Sequence, residues 1–522
     1  MTPRSSLPTL SICALMLVAD PPDAPVLELS GTLARASADV DQVRRAASSE
    51  IVLSGTRLEL RGAVVVEGEC WRAAVPLTAS RWGGPPLPPP SGRYRISIRA
   101  ADAAPSPVLV VALPPDALPG RRLVPRQFVF AARTTDDEHI DIDISPPLTD
   151  DETGSDQQAR LEAAYRTAGP VPLEGVFFES FYGQSASCNP LAIDRALAEL
   201  RPDITRYWSV ADASVAVPAG AVALVEGSTQ WWSVRASARL LVVNDWLRNR
   251  YRSRRGQTVL QTWHGTPLKR IALTRRGLRP RAAVATLRER GRWDILLAQN
   301  PFSARVFRAA YAYLRKPWQE GYPRNDVLIT GDAAALRARL GIPVDATVLL
   351  YAPTWRDDSP DDVDRLGVAA FTRELGNGFV TLIRGHSRSL RGGVDVRADN
   401  VIDVTTYPDA SELFLIADAL ITDYSSVMFD FTVTGKPVYF FTPDFDHYRD
   451  ELRGFYFDLL AVSPGPVVRS PVELIAHLRQ PDVATARYAD RYAAWVTRFN
   501  PRDDGRAAAR VVQRLLAEGR LG

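Results

Sequence analysis

The strongest constraint on this chain is a rhythm that begins near residue 158 and runs almost to residue 520. Short apolar runs of strand length alternate there with amphipathic helical stretches. That texture is the signature of parallel sheets covered by helices. Candidate strands in a first set are 175–178, 221–225, 240–243, 258–262 and 295–298. A second set comprises 347–352, 379–383, 401–404, 419–422 and 437–441. The reading is α/β: two Rossmann-like domains that face each other across a cleft. Ligands are expected at the carboxyl ends of the strands.

The first 150 residues differ. Segments such as Arg57-Leu-Glu-Leu-Arg61 and Tyr94-Arg-Ile-Ser-Ile98 alternate apolar and polar residues between Pro/Gly turns. They predict a smaller all-β domain, expected as a β-sandwich, with Gly83 to Pro90 as an exposed loop or linker. The apolar run Ile12 to Val18 reads as a first strand rather than a signal segment, since only Arg4 precedes it as a charge. The expected divisions are 1–150 (β-rich), 151–168 (linker and helix), 169–335 and 336–483 (the two Rossmann-like domains), and 484–522 (closing helices).

Composition narrows the function. With 63 basic and 60 acidic residues among 522, the formal charge is +3, which gives no bulk affinity for nucleic acid. Three cysteines at unrelated spacings argue against a disulfide framework and for a reducing compartment. No apolar run has the length of a membrane span.

Two strand-to-turn stretches carry most of the chemical potential. In Ala419-Leu-Ile-Thr-Asp-Tyr-Ser-Ser-Val427 a buried strand gives way to a helix. Ser425 and Ser426 sit at its N-terminus, where free N–H groups favour an anion, and Asp430 lies about one turn on. In Thr258 to Lys269 the strand ends near Trp263, followed by His264, Gly265, Thr266, Pro267 and Leu268. Thr266 is expected to cap a second helix with Pro267 in its first position, and His264 is the candidate proton acceptor. Arg384-Gly-His386 ends another strand and offers an Arg and a His for a diphosphate. Thr354-Trp355-Arg356 and Arg324-Asn325 supply further polar groups. No set of acids, histidines or cysteines has metal-ligand spacing.

In sequence order, Trp-His-Gly-Thr-Pro-Leu-Lys269, Gly-Tyr-Pro-Arg-Asn-Asp326, Ala-Pro-Thr-Trp-Arg356 and Ile-Thr-Asp-Tyr-Ser-Ser426 strongly resemble the CDP-glycerol glycerophosphotransferase family, the teichoic acid primases and polymerases. Glu179 to Pro190 and Asp503-Asp-Gly-Arg506 agree with it. The resemblance covers about 170–515. It implies the GT-B fold and transfer of glycerol phosphate from CDP-glycerol to a hydroxyl of a membrane-bound acceptor, with release of CMP. Carried over, the catalytic residues are His264, as the base or else an essential polar group at the reacting phosphorus, and His386, which with Arg384 contacts the donor diphosphate. Ser425 and Ser426 bind its phosphates. Asp430, Arg324, Thr354, Trp355 and the Gly265–Leu268 turn complete the donor site. Ser387 follows His386 where many members have proline.

No cofactor is evident, and a divalent cation on the donor diphosphate is compatible with this reading. The expected partners are CDP-glycerol or CDP-ribitol, a lipid-linked glycan or polyol-phosphate acceptor, and a membrane surface. The expected location is peripheral, on the cytoplasmic face. A CDP-ribitol enzyme, another GT-B transferase and a non-catalytic polymer-binding protein are the rival readings.

Overall fold

The computed structural model describes residues 10–21, 23–33, 49–100, 110–111, 118–136, 139–167, 169, 171–248, 251–277, 279–354, 364–385, 398–448 and 454–521. The N-terminal part is one ten-stranded sheet. Its strands run in the order Arg122–Val124, Phe128–Thr134, Ile140–Ser145, Gly92–Ala100, Ser49–Ser54, Glu59–Glu67, Cys70–Pro76, Val26–Leu33, Leu10–Val18 and Val110–Val111. All neighbours are antiparallel except the last pair.

The central Glu59–Glu67 strand belongs to both wings. Its first half pairs with Ser49–Ser54 and its second half with Cys70–Pro76. Gly62 permits this, because a Cβ there would lie 2.2 Å from the Ala74 carbonyl oxygen. Both wings feed one core, with Leu15, Leu27 and Trp71 beside Ile51, Phe128 and Ile142. The all-β expectation is therefore met by a continuous sheet, with the run Ile12 to Val18 inside a strand as expected.

Two six-stranded parallel sheets follow. The first has the order Val222–Val225, Thr205–Val210, Leu173–Glu179, Ala238–Val243, Thr258–Gln261, Ile295–Leu296. The second has Val401–Asp403, Phe379–Ile383, Thr347–Ala352, Ala419–Thr422, Val438–Phe441, Val467–Val468. Numbered within each sheet, both read 3-2-1-4-5-6, the doubly wound order of nucleotide-binding folds. Leu240 to Val243 and Ala419 to Thr422 are buried throughout, as strands covered by helices on both faces must be.

The lobes are welded together. Leu268, Phe302 and Val306 of the first lobe join the core that holds Phe429, Trp495 and Phe499. Phe302 meets Phe499 edge-on at 5.4 Å. Helix Pro481–Phe499 packs on the second lobe, and the chain then returns. Helix Ala507–Ala517 inserts Val511, Val512 and Leu515 beside Val176 and Leu197 of the first lobe. Asp326 fixes this return by accepting from Ala507 N (2.9 Å) and Ala508 N (2.8 Å). Among the described residues no helix is long and apolar enough to cross a membrane.

Candidate active site

His264 stands just beyond the carboxyl end of the Thr258–Gln261 strand, half-buried. Its ring stacks on Trp263 at 4.7 Å and tilts towards Phe181 at 5.7 Å. Nδ1 lies 2.7 Å from the Asn244 carbonyl oxygen, which can only accept. The proton therefore sits on Nδ1, and Nε2 keeps its lone pair. Burial holds the His264 pKa below the ordinary imidazole value. Asp245 and the Asn244 carbonyl oppose that shift, and Arg324 adds to it. The imidazole is thus neutral near pH 7, with one oriented basic nitrogen.

No helix begins at Pro267, contrary to the sequence reading. Residues 266–270 run extended into the other lobe instead. Tyr456 N donates to the Leu268 carbonyl (2.9 Å), Arg270 N donates to the Gly454 carbonyl (3.1 Å), and Lys269 bridges Phe455. Those partners take the backbone groups that a helix would have used. Thr266 does not cap. Its hydroxyl is fully buried, donates to Gln299 Oε1 (2.6 Å) and accepts from Asn300 Nδ2 (3.1 Å). Leu268 enters the inter-lobe core. This turn contributes His264 and the Gly265 backbone to the cleft, and no helix dipole.

The second turn forms much as expected, with helix Val427–Phe431 preceded by Ser426 and Ser425, both half-buried. It meets the first turn directly. A Cβ on Gly265 would lie 2.7 Å from Ser426 Oγ and 3.9 Å from Arg324 NH2. Gly265 N donates to Tyr322 Oη (3.0 Å), which sets the approach. Gly265→Ala is therefore expected to push the Ser426 turn away and raise the donor KM at least about tenfold, with the fold retained. Steady-state kinetics beside a circular-dichroism melt check this. An unchanged KM would show that the contact is irrelevant to binding.

Beneath both turns lies an ion pair. Arg324 NH2 is 2.5 Å from Asp430 Oδ2, and Asp430 is fully buried. Arg324 NH1 also reaches Cys188 Sγ (3.3 Å), and Arg324 N donates to Asn189 Oδ1 (3.1 Å). Burial works against the Arg324 charge, yet Asp430 outweighs it and pushes the guanidinium pKa up. Asp503, from the closing motif, accepts from Tyr322 N (2.8 Å) and Gln299 Nε2 (2.9 Å), and burial raises its pKa to about 6.

In the second lobe Thr354 N donates to both Asp423 oxygens (2.9 and 3.0 Å), which draws the first strand's end to the fourth. Arg384 follows the second strand. Its NH1 donates to the carbonyls of Val404 (3.1 Å) and Tyr407 (2.8 Å), and burial lowers its pKa to about 10. Trp355 and His386 lie outside the described residues. Among the described residues no three His, Cys, Asp or Glu side chains group as metal ligands.

The structure thus gathers His264, Gly265, Arg324, Ser426 and Asp430, with Ser425 adjoining them. Thr354 and Arg384 sit on neighbouring strand ends of the second lobe. Asn244, Tyr322, Asn189 and Asp423 were missed as site residues. Asn244 acts on His264 through its backbone, which no side-chain pattern reveals. Tyr322 and Asn189 lie inside the quoted motifs, so those motifs were the available signal.

The CDP-Glycerol:Poly(glycerophosphate) glycerophosphotransferase family model matches residues 164–517. The chain is 36% identical over 362 residues to the teichoic acid glycerol-phosphate transferase of Staphylococcus aureus (strain NCTC 8325 / PS 47), across 65% of this chain and 92% of that protein. It is 35% identical over 364 residues to the teichoic acid poly(glycerol phosphate) polymerase of Bacillus subtilis (strain 168). There it covers 66% of this chain and spans 48%, about half, of the polymerase's length. The solved structure of the wall teichoic acid polymerase TagF superposes with a TM-score of 0.64 at 32% identity, over 70% of this chain and 94% of that one. From residue 164 to residue 517, this chain belongs to the CDP-glycerol:poly(glycerophosphate) glycerophosphotransferase family.

Proposed function

We propose that the chain transfers glycerol phosphate from CDP-glycerol to a hydroxyl of a membrane-bound acceptor and releases CMP. One observation carries the reading: a neutral His264, its tautomer set by the Asn244 carbonyl, stands where the first lobe abuts the Ser426 turn of the second. The acceptor oxygen attacks the phosphorus that bears glycerol. A new P–O bond forms, the P–O bond to CMP breaks, and the acceptor proton passes to His264 Nε2. Arg324 contributes positive charge at the cleft floor, and Ser425 and Ser426 offer hydroxyl donors to the diphosphate. Arg384 and His386 complete the donor site, and Thr354 and Trp355 line it. A divalent cation on the diphosphate is compatible with this arrangement.

Association with the membrane is peripheral, at the cytoplasmic face. Helix Pro280–Arg290 supports this, since it exposes Val284 and Leu287 between Arg281 and Arg288. The acceptor is a lipid-linked glycan or a growing polyol-phosphate chain.

The test is CMP release by the purified protein. CDP-glycerol and CDP-ribitol are offered in parallel, with and without a lipid-linked primer. Acceptor-dependent CMP from CDP-glycerol is the expected result. Release from CDP-ribitol alone would move the assignment to the other polyol, and CMP binding without turnover would favour a binding protein.

The pH profile follows from the direction of the His264 shift. A base works when unprotonated, and a lowered pKa keeps it so into mild acid. The acid limb of kcat/KM is expected below the ordinary imidazole value of 6.5. An acid limb at or above that value would remove His264 from the role.

A further inference from the structure

The N-terminal sheet carries a miniature hairpin outside the family match. Strands Ala79–Ser80 and Pro86–Leu87 pair across a tip of Arg81, Trp82, Gly83, Gly84 and Pro85. Gly84 N donates to the Arg81 carbonyl (2.8 Å), which closes the turn. Two consecutive tip residues are left-handed, Trp82 at φ 53 and Gly83 at φ 71. Glycine accepts that conformation freely, but for a tryptophan it is strained, and such strain persists only where the surroundings over-determine it.

The tip is held by the second lobe, and the segments beside the hairpin are held by the first. Just after the hairpin, Ser91 N donates to Asp212 Oδ2 (2.7 Å), and Arg57, whose carbonyl accepts from Arg81 NH2 (3.5 Å), donates through NH1 to Gln184 Oε1 (2.7 Å); Asp212 and Gln184 are both on the first lobe. At the hairpin's tip, Trp82 meets the Tyr407 ring edge-on at 5.4 Å and packs against the second lobe's core. Gly83 rests on the Arg339 stem, where a Cβ would lie 2.6 Å from Cγ.

Tyr407 has a second function. Its carbonyl accepts from Arg384 NH1 (2.8 Å), and its hydroxyl donates to Glu412 (2.5 Å). Glu412 in turn faces Arg195 of the first lobe at 3.9 Å. The tip therefore presses on the segment that seats Arg384, at the same flank where the lobes meet.

We propose that the Ala79–Leu87 hairpin pins the two lobes at a fixed angle, which makes Trp82 a positioning residue for the second-lobe segment that seats Arg384. The role in donor binding rests on the CDP-glycerol reading; the pinning does not. The N-terminal domain is then a working part of the cleft's geometry.

The experiment uses the full chain with two readouts. Spin labels at Leu314→Cys and Val472→Cys, exposed on the first and second lobes, report the inter-lobe distance in a Cys13→Ser/Cys70→Ser background. Kinetics report the donor. Trp82→Ala is expected to broaden the distance distribution and raise the CDP-glycerol KM about fivefold, with kcat within about twofold. Trp82→Phe, which keeps an aromatic edge, is expected to restore both. Gly83→Ala reaches the same contact independently and is expected to behave like Trp82→Ala. An unchanged distance distribution in folded Trp82→Ala protein would overturn the pin, and a broadened one with unchanged KM would overturn the positioning role. If the unsubstituted protein turns over no CDP-glycerol, the functional reading fails while the distance measurement still decides the pin.

Discussion

Replacing His264 with alanine is expected to lower turnover about 10²–10⁴-fold while CMP still binds. The substitution removes Nε2, the nitrogen proposed to take the acceptor's proton at the end of the Thr258–Gln261 strand. It leaves the Ser426 turn and the Arg324–Asp430 pair in place. The proposed donor groups Ser425, Ser426 and Arg384 are untouched, so calorimetry with CMP is expected to give nearly the unsubstituted value. His264→Asn is a useful companion, since its amide can still donate to the Asn244 carbonyl and fill much of the space. It is expected to match alanine in turnover and exceed it in thermal stability. Turnover of either variant within about tenfold of the original would mean that the acceptor loses its proton elsewhere.

The second large effect is on stability. Arg324→Met leaves the fully buried Asp430 carboxylate without its cation, and a loss of about 3–5 kcal/mol is expected. The mechanism is desolvation. The carboxylate was taken out of water on the strength of a partner 2.5 Å away, and 106 residues distant in sequence. Arg324→Met combined with Asp430→Leu removes both charges and is expected to recover most of that loss. Urea melts of the two single variants and the double variant measure it. If the double variant is no more stable than the worse single one, the pair is not what holds the cleft floor. The double variant is still expected to bind donor weakly, because the guanidinium donors of Arg324 beside Ser426 have gone. That separates the role in binding from the role in folding.

The sequence made most of this architecture legible, for a physical reason. Strands such as Ala238–Val243 and Ala419–Thr422 lie under helices on both faces, so they must be nearly all apolar, and such runs stand out. The polar turns after them stand out equally, and they mark His264, Ser425 and Ser426 as candidates. What failed was local logic applied to a non-local segment. Gly265-Thr266-Pro267 has the look of a helix start. The residues that follow it, Leu268 to Arg270, instead pair with Gly454 to Tyr456, over 180 residues away, and no window around Pro267 contains that information. The same holds for the Asn244 carbonyl, whose position depends on strand register. In the N-terminal domain the alternation announced strands. The way one strand serves two wings turns on Gly62 and a single close carbonyl, which a pattern of apolar residues does not encode.

The return of the chain to the first lobe has a consequence for synthesis. The N-terminal sheet closes on residues 12 to 144 alone, so it can fold as soon as they leave the ribosome. The first lobe follows it in sequence but lacks part of its core until Val511, Val512 and Leu515 have been made. For more than 300 residues of translation, Val176, Leu197 and Trp208 wait with one flank uncovered, a window in which a chaperone has something apolar to hold. The lobe that carries His264 is thus started early and completed only when helix Ala507–Ala517 has emerged.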